Sequence, residues 1–252
     1  MIAANFSDIK SIFVTNNGDI YYDNVDMYHD KGIIFTAIRF ENGRVDKWIS
    51  NTNTSVNVMN VDSPCYGLFI DINDTLYCSM FDRHKIAKIW LNDSKMISTI
   101  VAGIGFRGSA SNELYGPIGI FVDLNFDLYV ADSYNNRIQL FKHGESNGIT
   151  IIGEGSSNNI ISLSRPSGIV LDADKYLFIV DRGNHRIIRA GSNDIRCIIG
   201  CNGEGSQSHQ LSNPTSLSFD SYGNIFILDS NNHRIQKFDY LSNSCGKFKI
   251  IE

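Results

Sequence analysis

Residues 117–140 read PIGIFVDLNFDLYVADSYNNRIQL. Two short apolar runs, Ile120-Phe-Val122 and Leu128-Tyr-Val130, flank the turn-forming stretch Asp123-Leu-Asn-Phe-Asp127, and a third, Ile138-Gln-Leu140, follows Asn135-Asn136. β-branched and aromatic residues dominate the runs, and Asp and Asn punctuate them, as in strands joined by tight turns. Three strands within so few residues leave no room for a crossover helix, so the stretch predicts an antiparallel meander.

The same sentence recurs along the chain. It is written PSGIVLDADKYLFIVDRGNHRIIR at 166–189 and PTSLSFDSYGNIFILDSNNHRIQKF at 214–238, more loosely over 64–90, and as a degenerate copy from Ser11-Ile-Phe-Val-Thr15. The copies begin near residues 11, 67, 119, 168 and 216. That spacing is the period of propeller blades or helical arrays. A fourth run, seen at Thr99-Ile-Val-Ala102, Thr150-Ile-Ile-Gly153 and Cys197-Ile-Ile-Gly200, closes each copy before a loop rich in Gly, Ser and Asn. Four short strands per copy and no amphipathic helix favour radially repeated sheets over a βαβ architecture.

Composition narrows the function. The chain has 252 residues, 42% of them apolar and 19% charged, enough for a large core. At about 150 residues per domain, one large domain or two small ones would fit; the repeat makes residues 1–252 a single expected domain. Lys and Arg number 22 against 27 Asp and Glu, a net charge of −5, which disfavours nucleic acid as partner. No apolar stretch approaches membrane-spanning length, and the opening residues do not read as a signal peptide.

The pattern resembles the NHL-repeat family of β-propellers, whose signature runs Pro-x-Gly-Ile-x-Val-Asp and then Ile-Tyr-Val-Ala-Asp-x-x-Asn-His-Arg-Ile-Gln. The resemblance covers nearly the whole chain and is strongest in the copies at Pro117, Pro166 and Pro214. It implies an all-β propeller of four-stranded antiparallel blades. Five repeats are readable, giving either five blades or six with one missing or incomplete; Met1-Ile-Ala-Ala4 resembles the end of a fourth strand. The Asn-, Ser- and Tyr-rich flavour is similar to secreted or cell-surface invertebrate members.

Several constellations invite a catalytic reading. Gly103-Ile-Gly-Phe-Arg-Gly108 fits a dinucleotide fingerprint formally, but no helix follows it and related glycine loops recur at Gly153 and Gly203, so it reads as a repeat connection. His84, His185 and His233 share one repeat position at the start of the third strand, about 10 Å farther out than the innermost strand, too far apart for one zinc ion. Asp132, Asp181 and Asp229 stand five residues before Arg137, Arg186 and Arg234, and the repetition predicts a partly exposed hairpin staple worth about 1 kcal/mol each. The peptidyl-amidating lyase is an NHL-like propeller whose zinc histidines follow the inner-strand proline. The matching positions here are Lys10, Tyr66, Ile118, Ser167 and Thr215, none of them a metal ligand. The carboxylate clusters of lactonase-like relatives are missing from these positions as well. No cofactor and no catalytic residue is therefore expected.

The connection between the second and third strands of the first copy swells from the five-residue step of Asp132 to Arg137 into the step from Asn24 to Arg44. This insertion, 25–40, includes Tyr28, His29, Asp30 and Lys31, and its run at 33–40 predicts an extra hairpin over the channel mouth. Together with Lys10, Tyr66 and the other inner-rim positions it forms the expected binding patch. Among the cysteines, Cys65 with Cys78 and Cys197 with Cys201 are candidate disulfides, leaving Cys245. Asn5, Asn53, Asn73 and Asn92 head glycosylation sequons. The expected function is a non-catalytic binding or scaffold propeller, extracellular or on the cell surface, recognising a protein, peptide or glycan. The alternatives are a cytoplasmic propeller that recognises substrate or RNA for a protein of ubiquitin-ligase type and, third, a lyase or lactonase-like hydrolase.

Overall fold

The computed structural model describes residues 43–49, 54–92, 97–157, 161–192, 194–220 and 222–241, together with strands at 12–14, 20–23, 27–30, 33–36 and 247–250. Lys10, Lys31, Asn5, Asn53, Cys245 and the opening Met1–Ala4 segment lie outside the described residues.

The chain is all-β. Its first sheet holds β1 (Ile12–Val14) and β2 (Ile20–Asp23), a separate hairpin of β3 (Met27–Asp30) and β4 (Ile33–Thr36), and then β5 (Gly43–Ile49) and β6 (Thr54–Val61), in the order β1-β2-β5-β6. Four further meanders follow: β7 (Cys65–Ile70), β8 (Thr75–Met80), β9 (Lys85–Trp90) and β10 (Thr99–Ala102); β11 (Pro117–Val122), β12 (Leu128–Asp132), β13 (Arg137–Phe141) and β14 (Ile149–Gly153); β15 (Pro166–Leu171), β16 (Leu177–Asp181), β17 (Arg186–Ala190) and β18 (Ile195–Ile199); and β19 (Pro214–Phe219), β20 (Ile225–Asp229), β21 (Arg234–Leu241) and β22 (Lys247–Ile250). Every pairing in them is antiparallel and between sequence neighbours, in a propeller arrangement.

This corrects the expected count. Four blades carry the regular repeat, not five or six; the sheet built from residues 12–61 departs from it because the β3–β4 hairpin interrupts its second-to-third-strand connection.

Local chemistry explains each hairpin. The first-to-second-strand turns open on Asp71, Asp123, Asp172 and Asp220, whose Oδ1 atoms accept backbone N–H bonds from residues two or four further on, such as Asn73 and Thr75, or Asn125 and Asp127. An aspartate side chain thus substitutes for a backbone acceptor and fixes the turn. The second-to-third-strand turns are single 3-10 turns, 81–83, 133–135, 182–184 and 230–232.

The core lies between blades. Ile86 and Tyr77 of one blade pack with Leu114, Ile120, Leu128, Val130 and Phe141 of the next, and Val180 and Ile187 with Leu211, Leu217, Ile225 and Phe238. At the axis the inner strands approach closely: a Cβ at Gly119 would stand 2.4 Å from the Ser167 carbonyl oxygen of the neighbouring blade, so the signature glycine is sterically required. On the far flank of the 214–250 blade the pattern stops. Ile235 is 69% exposed, whereas its counterparts Ile86, Ile138 and Ile187 are fully buried.

Candidate functional site

The 3-10 turns and the loops entering each first strand occupy one face of the propeller, and three layers of side chains organise it. Deepest are the Asp–Arg pairs. Asp132 Oδ2 accepts from Arg137 Nε at 2.7 Å and from Asn135 Nδ2 at 2.8 Å, while Asp132 Oδ1 accepts from the Tyr115 N–H at 2.7 Å. The Arg137 guanidinium continues outward to the carbonyls of Ser109, Ala110 and Glu113. Arg234 repeats this with Asp229 and the carbonyls of Ser206, Gln207 and Gln210, and Arg186 with Asp181 and Ser162. The pair is therefore more than the exposed hairpin staple expected: all three aspartates are fully buried, and each arginine ties the incoming loop to the turn. Burial pushes Asp132 above the usual carboxylate value despite these donors. At Asp229 burial acts the same way but is outweighed by the Ser212 N–H, Asn232, Arg234 and Gln236, so that carboxyl lies below its ordinary value.

Next come the residues that end each 3-10 turn in the left-handed conformation, His84, Asn136, His185 and His233. His84 Nδ1 accepts from the Gly116 N–H at 3.2 Å, Asn136 Oδ1 from the Arg165 N–H at 3.0 Å, and His185 Nδ1 from the Asn213 N–H at 2.9 Å. Each donor is the residue before the next blade's signature proline, so this position latches blade to blade. A neutral imidazole is needed to accept, and burial lowers the pKa of His84, favouring that form.

The outermost layer is aromatic. Tyr66 stacks on Phe81 at 4.8 Å between ring centroids, Phe81 meets Tyr134 edge-on at 5.2 Å, Tyr134 meets Tyr115 at 4.9 Å, and Tyr115 meets His84 at 5.4 Å. The Arg165 guanidinium lies 5.9 Å over the Tyr134 ring and that of Arg107 6.0 Å over Tyr115. Gly116 makes this packing feasible: at φ +61° it turns the chain, and a Cβ there would stand 2.8 Å from the Phe81 ring and 3.0 Å from Tyr134. Farther round the rim the surface becomes polar, with Arg182 Nε donating to Asn213 Oδ1 at 2.7 Å and Thr215 Oγ1 within 2.8 Å of Ser230 Oγ.

The expected rim residues Tyr66, Ile118, Ser167 and Thr215 take equivalent places on β7, β11, β15 and β19. Tyr66 joins the aromatic run, whereas Ser167 Oγ donates to the Thr215 carbonyl at 3.0 Å and the Ile118 carbonyl accepts from Ser79 Oγ, so these serve strand-to-strand bonding. Tyr28, His29 and Asp30 lie in β3, in register with Phe35, Ile34 and Ile33 of β4, which places an added hairpin in the connection that elsewhere is a 3-10 turn. Phe81, Tyr115, Tyr134, Arg165 and Arg182 were not singled out by the sequence; they fall at its variable positions.

Cys65 and Cys78 form a buried disulfide across β7 and β8, and Cys197 and Cys201 a second one with Cα atoms 5.8 Å apart. The sequon residues Asn73 and Asn92 are exposed on turns. Among the described residues no three His, Cys, Asp or Glu side chains group as a metal site, and no helix is long and apolar enough to cross a membrane.

A family model for the NHL repeat matches residues 211–238. The human NHL repeat-containing protein 2 is 32% identical over 96 residues, a match covering 34% of this chain and 13% of that protein, and its cattle counterpart is 31% identical over a stretch of the same length. The chain thus corresponds to a small part of these relatives. Among solved structures, a streptogramin B lyase is 14% identical with a TM-score of 0.64, covering 98% of this chain and 69% of its own. An auxiliary nutrient binding protein from Bacteroides thetaiotaomicron is 15% identical with a TM-score of 0.66, over 94% and 60% of the two chains. A chain of a nidogen/laminin complex is 19% identical with a TM-score of 0.54, over 80% and 77%. At these identities the likeness is one of fold.

Proposed function

We propose that this chain, which carries the NHL repeat, is a non-catalytic binding propeller that engages a partner protein through the face bearing its 3-10 turns. The observation that carries the reading is the continuous run Tyr66–Phe81–Tyr134–Tyr115 with Arg165 and Arg107 laid against it. Aromatic and arginine side chains are what protein interfaces concentrate at their centres. Tyr134 stays 43% exposed although Phe81, Tyr115 and Arg165 lie against it, so the run offers area as well as packing. The β3–β4 hairpin lies in the same class of connection and extends the patch. The two disulfides support an oxidising, extracellular or cell-surface setting.

Photo-crosslinking tests this. With p-benzoylphenylalanine at position 134, discrete adducts with one partner protein are expected from the native source. The same group at Tyr222, on a first-to-second-strand turn of the opposite face, should give none. Equal labelling from both positions, or none from 134, would remove the reading. Replacing residues 25–40 by a tight turn is expected to reduce the yield from 134.

A further inference from the structure

We infer that the occupant of this face is an acidic peptide segment of the partner, its carboxylates paired with Arg165 and Arg182 and an adjoining apolar side chain lodged against Phe81 and Tyr134. The inference rests on the reading above and specifies what that face recognises.

Most of the arginines among the described residues are already paired. Arg44, Arg83, Arg137, Arg186, Arg189, Arg196 and Arg234 each have a carboxylate within ion-pair reach; among the described residues Arg107, Arg165 and Arg182 have none. Two of the three sit side by side. The Gly183 N–H donates to the Ser164 carbonyl at 2.8 Å, and Pro166 pairs in register with Asp181, so Arg165 and Arg182 flank one backbone contact on the inner rim. Their heads diverge, Arg165 toward the Tyr134 ring and Arg182 toward Asn213. Arg182 uses only its Nε there, leaving both terminal amino groups without a protein acceptor. The nearest buried carboxylate, Asp181, is consumed by Arg186, Asn184 and the Ser164 N–H. Two planar, permanently charged forks rooted on one backbone contact but turned apart suit two successive carboxylates of an extended peptide.

The rest of the face sets polarity and class. Asp82, exposed and among the described residues without an ion pair, follows Phe81 in its 3-10 turn, so a ligand's negative end is directed to the arginine side and its apolar part to the rings. Phe81, Tyr134 and Tyr115 meet at interplanar angles of 68° and 69°. In these edge-to-face contacts the rings do not share one plane, so together they do not make the flat platform a sugar ring stacks upon.

The test is fluorescence anisotropy of the whole chain with a fluorescein-labelled octapeptide of alternating glutamate and phenylalanine. A lysine–phenylalanine octapeptide and oligogalacturonate serve as comparison probes. Saturable binding of the glutamate peptide is expected, weakened at least about tenfold by Arg165→Ala/Arg182→Ala. Tyr222→Ala should leave it unchanged, and Arg182→Lys, which keeps the charge but not the fork, should fall between. Thermal midpoints matching the parent chain establish that the variants are folded. No binding, equal affinity in the double variant, or equal or tighter binding of either comparison probe overturns the inference. Adducts from position 134 without glutamate-peptide binding would reject the acidic ligand and leave the face standing; no adducts would reject the face itself.

Discussion

Replacing Arg137 by Met removes the best-enclosed member of a repeated ion pair, and the repeat supplies its own controls. Arg137, Arg186 and Arg234 hold their aspartates at 2.7, 2.8 and 2.8 Å, yet the arginine side chains are 7%, 26% and 31% exposed. If distance set the energy, the three substitutions would cost the same. If burial sets it, Arg137→Met should cost most, because the fully buried Asp132 would keep only the Tyr115 N–H and Asn135 as donors in a place that water does not reach. Stranding a buried charge costs about 3–5 kcal/mol. After Arg234→Met, Asp229 keeps the Ser212 N–H, Asn232 and Gln236, and water reaches the vacated place, so about 2 kcal/mol is expected. At about 2–4 °C per kcal/mol for a chain of this size, the thermal midpoint should fall by about 6–20 °C in the first variant and about 4–8 °C in the second. Differential scanning calorimetry at neutral pH reads this directly. The double variant Asp132→Met/Arg137→Met, imitating the buried Met80 of the preceding blade, should lose no more than the single. Equal drops at 137 and 234, or a double variant worse than the single, would refute burial as the controlling term.

Three further outcomes are expected. His84 accepts the Gly116 N–H only when neutral and its pKa is lowered in the fold, so the stability it contributes is present above the unfolded histidine value of about 6.5 and is lost as pH falls through and below it. His84→Asn, copying Asn136, should therefore narrow the gap in thermal midpoint between pH 7.5 and pH 5.5, and an unchanged gap would contradict the latch. Gly116→Ala should destabilise by about 1–3 kcal/mol, through its positive φ and the Phe81 and Tyr134 rings it would strike, and should raise tyrosine exposure measured by acrylamide quenching. Under mild reductant without denaturant, mass spectrometry after alkylation should find Cys197 and Cys201 modified, because Cys201 is exposed, and Cys65 and Cys78 protected, because both are fully buried; simultaneous labelling of all four would show the opposite.

What the sequence disclosed and what it withheld divide along a physical line. Strand positions, turn aspartates, the glycine loops and both disulfide pairs follow from chemistry local to one repeat, and repeats that agree with one another expose such chemistry to reading. The aromatic run does not follow, because Tyr66, Phe81, Tyr134 and Arg165 come from three blades and occupy positions where the repeats differ. The latch was hidden for the same reason: Gly116 lies 32 residues after His84, so the histidine reads as a consensus letter until the neighbouring blade is in place. The Asp–Arg pair was visible as a pair, but its burial is supplied by the incoming loop that the arginine itself organises. The blade count went astray at residues 12–61, where the spacing of the first copy is stretched by a hairpin.

The uncovered flank of the 214–250 blade has a dynamic consequence. The three blades from Cys65 to Ile199 are each sandwiched between two other sheets, so their opening would break two apolar contacts at once; here Ile235 and Leu228 face outward, and among the described residues only one side is held. In a stack stabilised by nearest-neighbour contacts, breathing begins at such an end and travels inward. Amide hydrogen exchange should accordingly show a gradient, with Ile179 and Ile188 among the slowest and the β21 amides exchanging through partial openings well below the free energy of global unfolding.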